Sequence, residues 1–152
     1  MLFWTREEYT KFSEAMMDKP LSFYAFEVLY WCGIREGELL ALTPADFDFQ
    51  NSTVRINKSY QRLNGEDLIT TPKTEKSNRE MDRGAKEAGV PCIRIHDIRH
   101  SAVSLLIDMG FSATAIADRV GHESIDITYN YAHLFPSKQT EMADKLNMER
   151  GN

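Results

Sequence analysis

Three polar clusters stand between apolar stretches in residues 94–135: His96/Arg99/His100, then Gly121-His122, then Tyr129/Tyr131/His133. Upstream, Arg35 follows Gly33-Ile34, and Lys73 lies in the basic tract Pro72-Lys73-Thr74-Glu75-Lys76-Ser77-Asn78-Arg79. Chemistry that wants several cations and a phenol at one point is phosphate chemistry. Two guanidiniums offer paired donors to non-bridging oxygens, and stabilising developing charge is usually the largest catalytic term. A lysine can protonate a leaving oxygen, and a histidine can trade protons near neutral pH. A phenol can form a covalent phosphoester that stores the bond energy, which casts Tyr131 as nucleophile. If Arg35, Lys73, His96, Arg99, His122 and Tyr131 converge, the reaction is transesterification on a phosphodiester, with no metal and no cofactor required.

The elements that must bring them together are helical. Ile98, Ala102, Leu105, Leu106 and Met109 recur at helical spacing until Gly110 stops the run. Ser112 can cap a second helix whose Ile116, Ala117 and Val120 face inward before Gly121 ends it. Two short antiparallel helices then return His122 to the neighbourhood of His96 and Arg99. Arg35 opens a short helix anchored by Leu39, Leu40 and Leu42, whose first-turn amides would suit a phosphate. The plainer alternative is an arginine at a solvated helix start, paired with Glu38.

Composition sets the bounds. At 152 residues the chain is sized for one domain that can bury a core, and 42% hydrophobic with 27% charged residues is ordinary for a globular protein. Cys32 and Cys92 form no spacing motif, which suits a reduced, cytosolic setting, and no stretch is long and apolar enough to span a membrane. Net charge is −5, against a simple nucleic-acid binder. The distribution softens that: residues 53–100 carry 10 Lys/Arg against 7 Asp/Glu, so the basic surplus surrounds the candidate site.

Taken in order, Thr5-Arg6-Glu7-Glu8 has the form of a capping box, with Tyr9, Phe12 and Met16 as the buried face of a first helix. Residues 21–32, almost continuously apolar but for Glu27, suit a helix at the centre of the core, ended by Gly33. Residues 47–71 are the strand-like region, with Asn64-Gly65 as a hairpin turn and Leu68-Ile69-Thr70-Thr71 as the return strand. The 72–79 tract reads as a polar loop, and a short helical piece runs from Glu80 to Gly89. A final helix from Pro136-Ser137 to about Met148 has sparse apolar positions and needs a surface to dock on. The fold class is mainly α with a small antiparallel β-sheet.

These residues resemble the tyrosine recombinases, or phage integrases, over nearly the whole chain, as their C-terminal catalytic domain. G-I-R-E-G-E-L-L-A-L resembles the first arginine box, carrying over Arg35. P-K-T-E-K-S-N-R resembles the β-hairpin tract with its lysine general acid, carrying over Lys73, with Lys76 as competitor. H-D-I-R-H matches the H-x-x-R box, giving His96 and Arg99, and V-G-H matches the L-G-H box, giving His122. The nine-residue step to Tyr131 in Y-N-Y-A-H-L matches the nucleophile's spacing, with Tyr129 the competing phenol. His100 and His133 are expected to be structural, each with a hydrogen-bond partner, and Glu38 to orient Arg35.

The resemblance implies cleavage of one strand of an attachment site through a 3′-phosphotyrosine, then rejoining to a partner duplex. It implies a tetramer on double-stranded DNA, assembled through the C-terminal helix, with accessory DNA-bending or directionality proteins, in the bacterial cytoplasm. Such integrases move phages or conjugative elements. Two departures stand out. The family's N-terminal core-binding and arm-binding domains are absent, and Arg79 runs straight into Glu80-Met81 where the family carries several tens more residues. A loss there removes part of the family core and changes what must position Lys73. Two other readings remain: a truncated domain that docks on DNA or partners without cutting, and a zinc hydrolase using His96 and His100, four apart on a helix.

Overall fold

The computed structural model describes residues 1–63, 66–68, 75–134 and 139–150. Helix α1 (Arg6–Ala15) starts on a reciprocal cap: Thr5 Oγ1 accepts from the Glu8 amide at 3.2 Å, and the Glu8 carboxylate accepts from the Thr5 amide at 2.8 Å. Its Tyr9 and Phe12, with Met16 beyond its end, are buried as the spacing requires. Helix α2 (Pro20–Cys32) has proline in its first turn, where no amide bond is lost, and ends on Gly33 at φ 65°.

The apolar run that forms α2 is not buried all round. Phe26, Leu29 and Tyr30 face the core, while Leu21 and Tyr24 are exposed. Glu27, the charge within that run, accepts hydrogen bonds from Tyr9 Oη (2.8 Å), Ser13 Oγ (2.9 Å) and Trp31 Nε1 (3.0 Å). A carboxylate with three donors ties α1 to α2 beside the parallel stack of Tyr9 on Tyr30.

A short helix α3 (Glu36–Leu40) and a 3-10 turn (Pro44–Asp46) lead to two separate antiparallel pairs among the described residues. Strands β1 (Phe47–Asp48) and β2 (Thr53–Val54) pair Phe47 with Val54. Strands β3 (Gln61–Leu63) and β4 (Glu66–Leu68) pair Leu63 with Glu66, and the turn expected at Asn64-Gly65 lies outside the described residues. The alternation from Val54 to Tyr60 does not extend the strand: residues 55–60 are irregular. The Tyr60 amide instead donates to the Gly37 carbonyl, tethering this segment to α3. Of the expected return strand, Leu68 ends β4, and Ile69-Thr70-Thr71 lie outside the described residues.

Helix α4 (Glu75–Ala88) starts five residues earlier than the sequence suggested. The tract read as a loop has no glycine or proline from Thr74 to Arg83, so nothing breaks the helix that Met81 and Ala85 anchor. It runs unbroken through residues 79–81 and packs on α1. At Gly84 a Cβ would lie 2.5 Å from Met16 Sδ and 2.7 Å from the Phe12 ring, both buried side chains. Gly84→Leu is therefore expected to lower stability by about 2 kcal/mol, overpacking of about 3 outweighing a helix-propensity gain of about 1. The check is a lower urea midpoint at unchanged slope; an unmoved midpoint would show that the α1–α4 seam has room.

Helices α5 (Ile95–Asp108), α6 (Ala113–Val120) and α7 (Ile125–Tyr129) follow, then a 3-10 turn (Ala132–Leu134) and α8 (Gln139–Arg150). The Ser112 cap on α6 is present, its hydroxyl accepting from Ala115 N at 3.2 Å. Helix α8 is described from Gln139 to Arg150, its expected start at Pro136-Ser137 lies outside the described residues, and its Met142, Leu146 and Met148 are exposed. Two apolar clusters hold the chain together. One gathers Tyr9, Phe12, Met16, Leu29, Met81 and Ile98, among others; the other gathers Val103, Ile107, Ile116, Val120 and Tyr131. Helix α5 supplies residues to both, and its N-terminal half carries the His96 cluster to the place where they meet.

Candidate active site

Arg99 sits on the second turn of α5 and is 5% exposed. Its Nη1 donates to the Gly33 carbonyl and its Nη2 to the Val120 carbonyl, each at 2.6 Å. Both acceptors lie at helix C-termini, where unsatisfied carbonyls carry the negative end of the macrodipole. The guanidinium thus pins the end of α2 and the end of α6 to the start of α5. Glycine is required at position 33: φ is positive, and a Cβ there would come within 3.0 Å of Val120 Cγ1.

Arg35 immediately precedes α3. Glu38 holds it twice, accepting from the Arg35 amide at 2.7 Å and from Nη1 at 3.1 Å. The expectation that Glu38 orients Arg35 is met by this geometry, although its carboxylate also takes the Arg35 amide that was to be left free. Arg35 Nη2 reaches the Gly121 carbonyl at 3.5 Å, one residue beyond the carbonyl that Arg99 takes. The two guanidiniums therefore flank the end of α6, where His122 follows. At 39% side-chain exposure Arg35 remains open to a ligand.

Gly121 ends α6 in the left-handed region at φ 65°, and His122 Nδ1 lies 2.7 Å from Thr128 Oγ1 on α7. Burial, then Arg99 and Arg35, push the His122 imidazolium down to about pKa 4, leaving the ring neutral at pH 7. His96 is lowered as well, by burial and the neighbouring Arg99, Arg94 and Arg35, with Asp97 opposing. That His122 and His96 each feel both Arg35 and Arg99 marks one electrostatic cluster.

The two tyrosines part company. Tyr129 ends α7 with its ring 55% exposed, whereas Tyr131 is 3% exposed and packs on Val103, Ile107, Ile116 and Val120. Burial raises the Tyr131 phenol above its usual range and Arg99 opposes the shift. Its hydroxyl is hydrogen-bonded to His100 Nδ1. His100, expected to be structural with a hydrogen-bond partner, has that partner in the candidate nucleophile. The available signal was position: His100 falls one helical turn after His96 and beside Arg99. Thr128 left no comparable mark in the sequence. His133 lies exposed in the 3-10 turn.

Lys73 lies outside the described residues, and of its competitor Lys76 the structure fixes only a place in the first turn of α4. As for the zinc reading, the His96 and His100 rings meet edge to face at 5.1 Å, and His100 Nδ1 is engaged by Tyr131. No group of three metal-ligating side chains stands together among the described residues.

Residues 70–138 match the phage integrase family. Over 97% of the chain, an integrase of Bacillus subtilis (strain 168), ICEBs1 integrase, is 31% identical, with 54% of that relative covered. These matches support the tyrosine recombinase family for this chain. Tyrosine recombinase XerC of Bifidobacterium longum (strain DJO10A) is 28% identical over 71% of the chain and 42% of its own length. The recombinase fold is likewise that of the solved catalytic domain of bacteriophage HP1 integrase, with TM-score 0.65, 19% identity, and coverage of 97% of this chain and 95% of that one. The Tn1549 transposon integrase, solved in complex with transposon right end DNA, matches at TM-score 0.72 and 20% identity, over 98% of this chain and 65% of its own.

The chain spans about half the length of the curated relatives it matches. The Bacillus subtilis alignment runs over 200 positions against a chain of 152 residues, so that recombinase carries internal residues with no counterpart here. Among the described residues no helix is long and apolar enough to cross a membrane.

Proposed function

We propose that this recombinase domain cleaves and rejoins DNA at attachment sites through Tyr131, moving a phage or conjugative element into or out of a bacterial chromosome. The observation that carries this is the meeting of a buried phenol, Tyr131, with three histidines and two arginines around the end of α6. Arg35 and Arg99 grip the non-bridging oxygens of one phosphate, His96 and His122 complete its surround, and Lys73 protonates the leaving 5′-oxygen. The phenol attacks phosphorus, the bond to the 5′-oxygen breaks, and a 3′-phosphotyrosine remains. A 5′-hydroxyl then reverses the step on the partner duplex. No metal or cofactor enters the scheme.

Assembly follows the same reading. Helix α8 exposes Met142, Leu146 and Met148, an apolar set suited to a neighbouring protomer in a DNA-bound tetramer, with accessory DNA-bending or directionality proteins acting around it. The setting is the bacterial cytoplasm. The catalytic domain occupies the whole of residues 1–152, and the residues without counterpart here fall near 79–81, where α4 bridges the junction.

The test is covalent trapping on nicked duplex pools at low salt, where non-specific affinity is highest, followed by peptide mapping of any adduct. The expected result is an SDS-resistant adduct mapping to Tyr131. An adduct on Tyr129 would keep the chemistry and move the nucleophile. DNA binding without any adduct would favour the second reading, a docking domain that does not cut, for which the absent internal residues are the supporting observation.

A further inference from the structure

The reading of Tyr131 as nucleophile leaves open what takes its proton. We propose that His100 does: its Nδ1 accepts the phenolic proton as the Tyr131 oxygen attacks phosphorus, while Asp97 holds the ring in the required tautomer. This rests on the nucleophile reading and adds to it a base on the same helix as the phosphate clamp.

Three side chains form a line. The Tyr131 hydroxyl is hydrogen-bonded to His100 Nδ1, and on the far edge of the ring His100 Nε2 lies 3.7 Å from Asp97 Oδ1. Asp97 is fully buried, and Arg94 fixes its carboxylate by donating from its amide (3.0 Å), Nε (3.0 Å) and Nη2 (2.8 Å). A carboxylate facing Nε2 favours the proton there, which leaves the Nδ1 lone pair pointing at the phenol. The arrangement has the logic of a nucleophile, a base and an orienting acid.

The charge states agree. Burial first, then the neighbouring His96, holds the His100 imidazolium below its ordinary range, with Arg94 and the chain's amino terminus adding and Asp97 opposing. Among the described residues these, with Tyr131, are the charged and titratable groups that act on His100. A ring held neutral at pH 7 can accept a proton, whereas the phenol, raised by burial, ionises poorly unaided. In the step, the O–H bond of Tyr131 breaks as the N–H bond of His100 forms and the oxygen–phosphorus bond is made. The leaving 5′-oxygen takes its proton from Lys73 in the proposed scheme, or from water.

His100→Asn is the informative replacement, because the amide oxygen can take the place of Nδ1 as an acceptor but cannot carry the proton. Adduct formation should fall about a hundredfold at pH 7. The deficit should shrink about tenfold per pH unit above that, as hydroxide replaces the base. Incorporating a fluorotyrosine, with a more acidic phenol, at position 131 should restore the rate of the variant far more than that of the parent. An adduct rate unchanged in His100→Asn would overturn the proton transfer while leaving Tyr131 in place. No adduct in the parent would fall on the nucleophile reading itself. A readout independent of turnover is the nitrogen-15 spectrum of the His100 imidazole: a protonated Nε2 and bare Nδ1 are expected, and the reverse tautomer would refute the proposal even if the variant unfolds.

Discussion

Tyr131→Phe is expected to eliminate the covalent adduct while leaving the fold nearly intact. The ring packs on Val103, Ile107, Ile116 and Val120, and phenylalanine fills the same volume. What disappears is the hydroxyl and its bond to His100 Nδ1. A single hydrogen bond of this kind contributes about 1 kcal/mol, so thermal unfolding should shift by only a few degrees. The proposed reaction, by contrast, loses its nucleophile, and adduct formation should drop by about 10⁴-fold or more. Tyr129→Phe removes a hydroxyl from an exposed ring with no part in the cluster and should leave the rate unchanged. Adduct surviving in Tyr131→Phe and vanishing in Tyr129→Phe would exchange the two assignments.

Arg99→Ala should damage both stability and chemistry. The guanidinium donates to Gly33 O and Val120 O at 2.6 Å, and both carbonyls belong to buried backbone at helix ends. Charged hydrogen bonds contribute about 1.5–3 kcal/mol each, and an abandoned carbonyl also pays for lost solvation, so a loss of about 3 kcal/mol or more is expected. Removing one preorganised cation from the phosphate should cost a further 10²–10³-fold, roughly, in rate. Arg99→Lys retains the charge but, as a point donor, cannot span both carbonyls, and should fall between. Arg35→Ala is the control that separates the two effects. Arg35 is part exposed, and its pairing with Glu38 contributes at most about 1 kcal/mol after screening, so its loss should spare stability and cut the rate. Equal unfolding midpoints for Arg99→Ala and the parent would rule out the pinning role.

Much of this was legible in sequence because the signals are local. The Thr5 capping box, the Ser112 cap and the helix-ending Gly33 and Gly121 each depend on a few adjacent residues, and each stands where it was read. The missed features depend on what packs from elsewhere. The exposed half of α2 is set by which stripe α1 and α5 cover. The early start of α4, in a tract with no glycine or proline to break it, was concealed by the polarity of Glu75–Arg79. In the candidate site, spacing singled out His96, Arg99, His122 and Tyr131, and the structure brings these side chains near one another. That His100 faces the phenol depends on how the turn after α7 returns to α5, and that is tertiary geometry.

The two apolar clusters divide the site between them. The carbonyl of Gly33 closes the helix that feeds the first cluster, and Val120 belongs to the second, together with Tyr131. Arg99 is bonded to both, so it acts as a rivet through two plates, and in the proposed mechanism the gap between attacking oxygen and gripped phosphate is a dimension of the joint. Side chains far from the chemistry, wherever they let one plate slip against the other, would then detune the reaction without touching a single group that takes part in it.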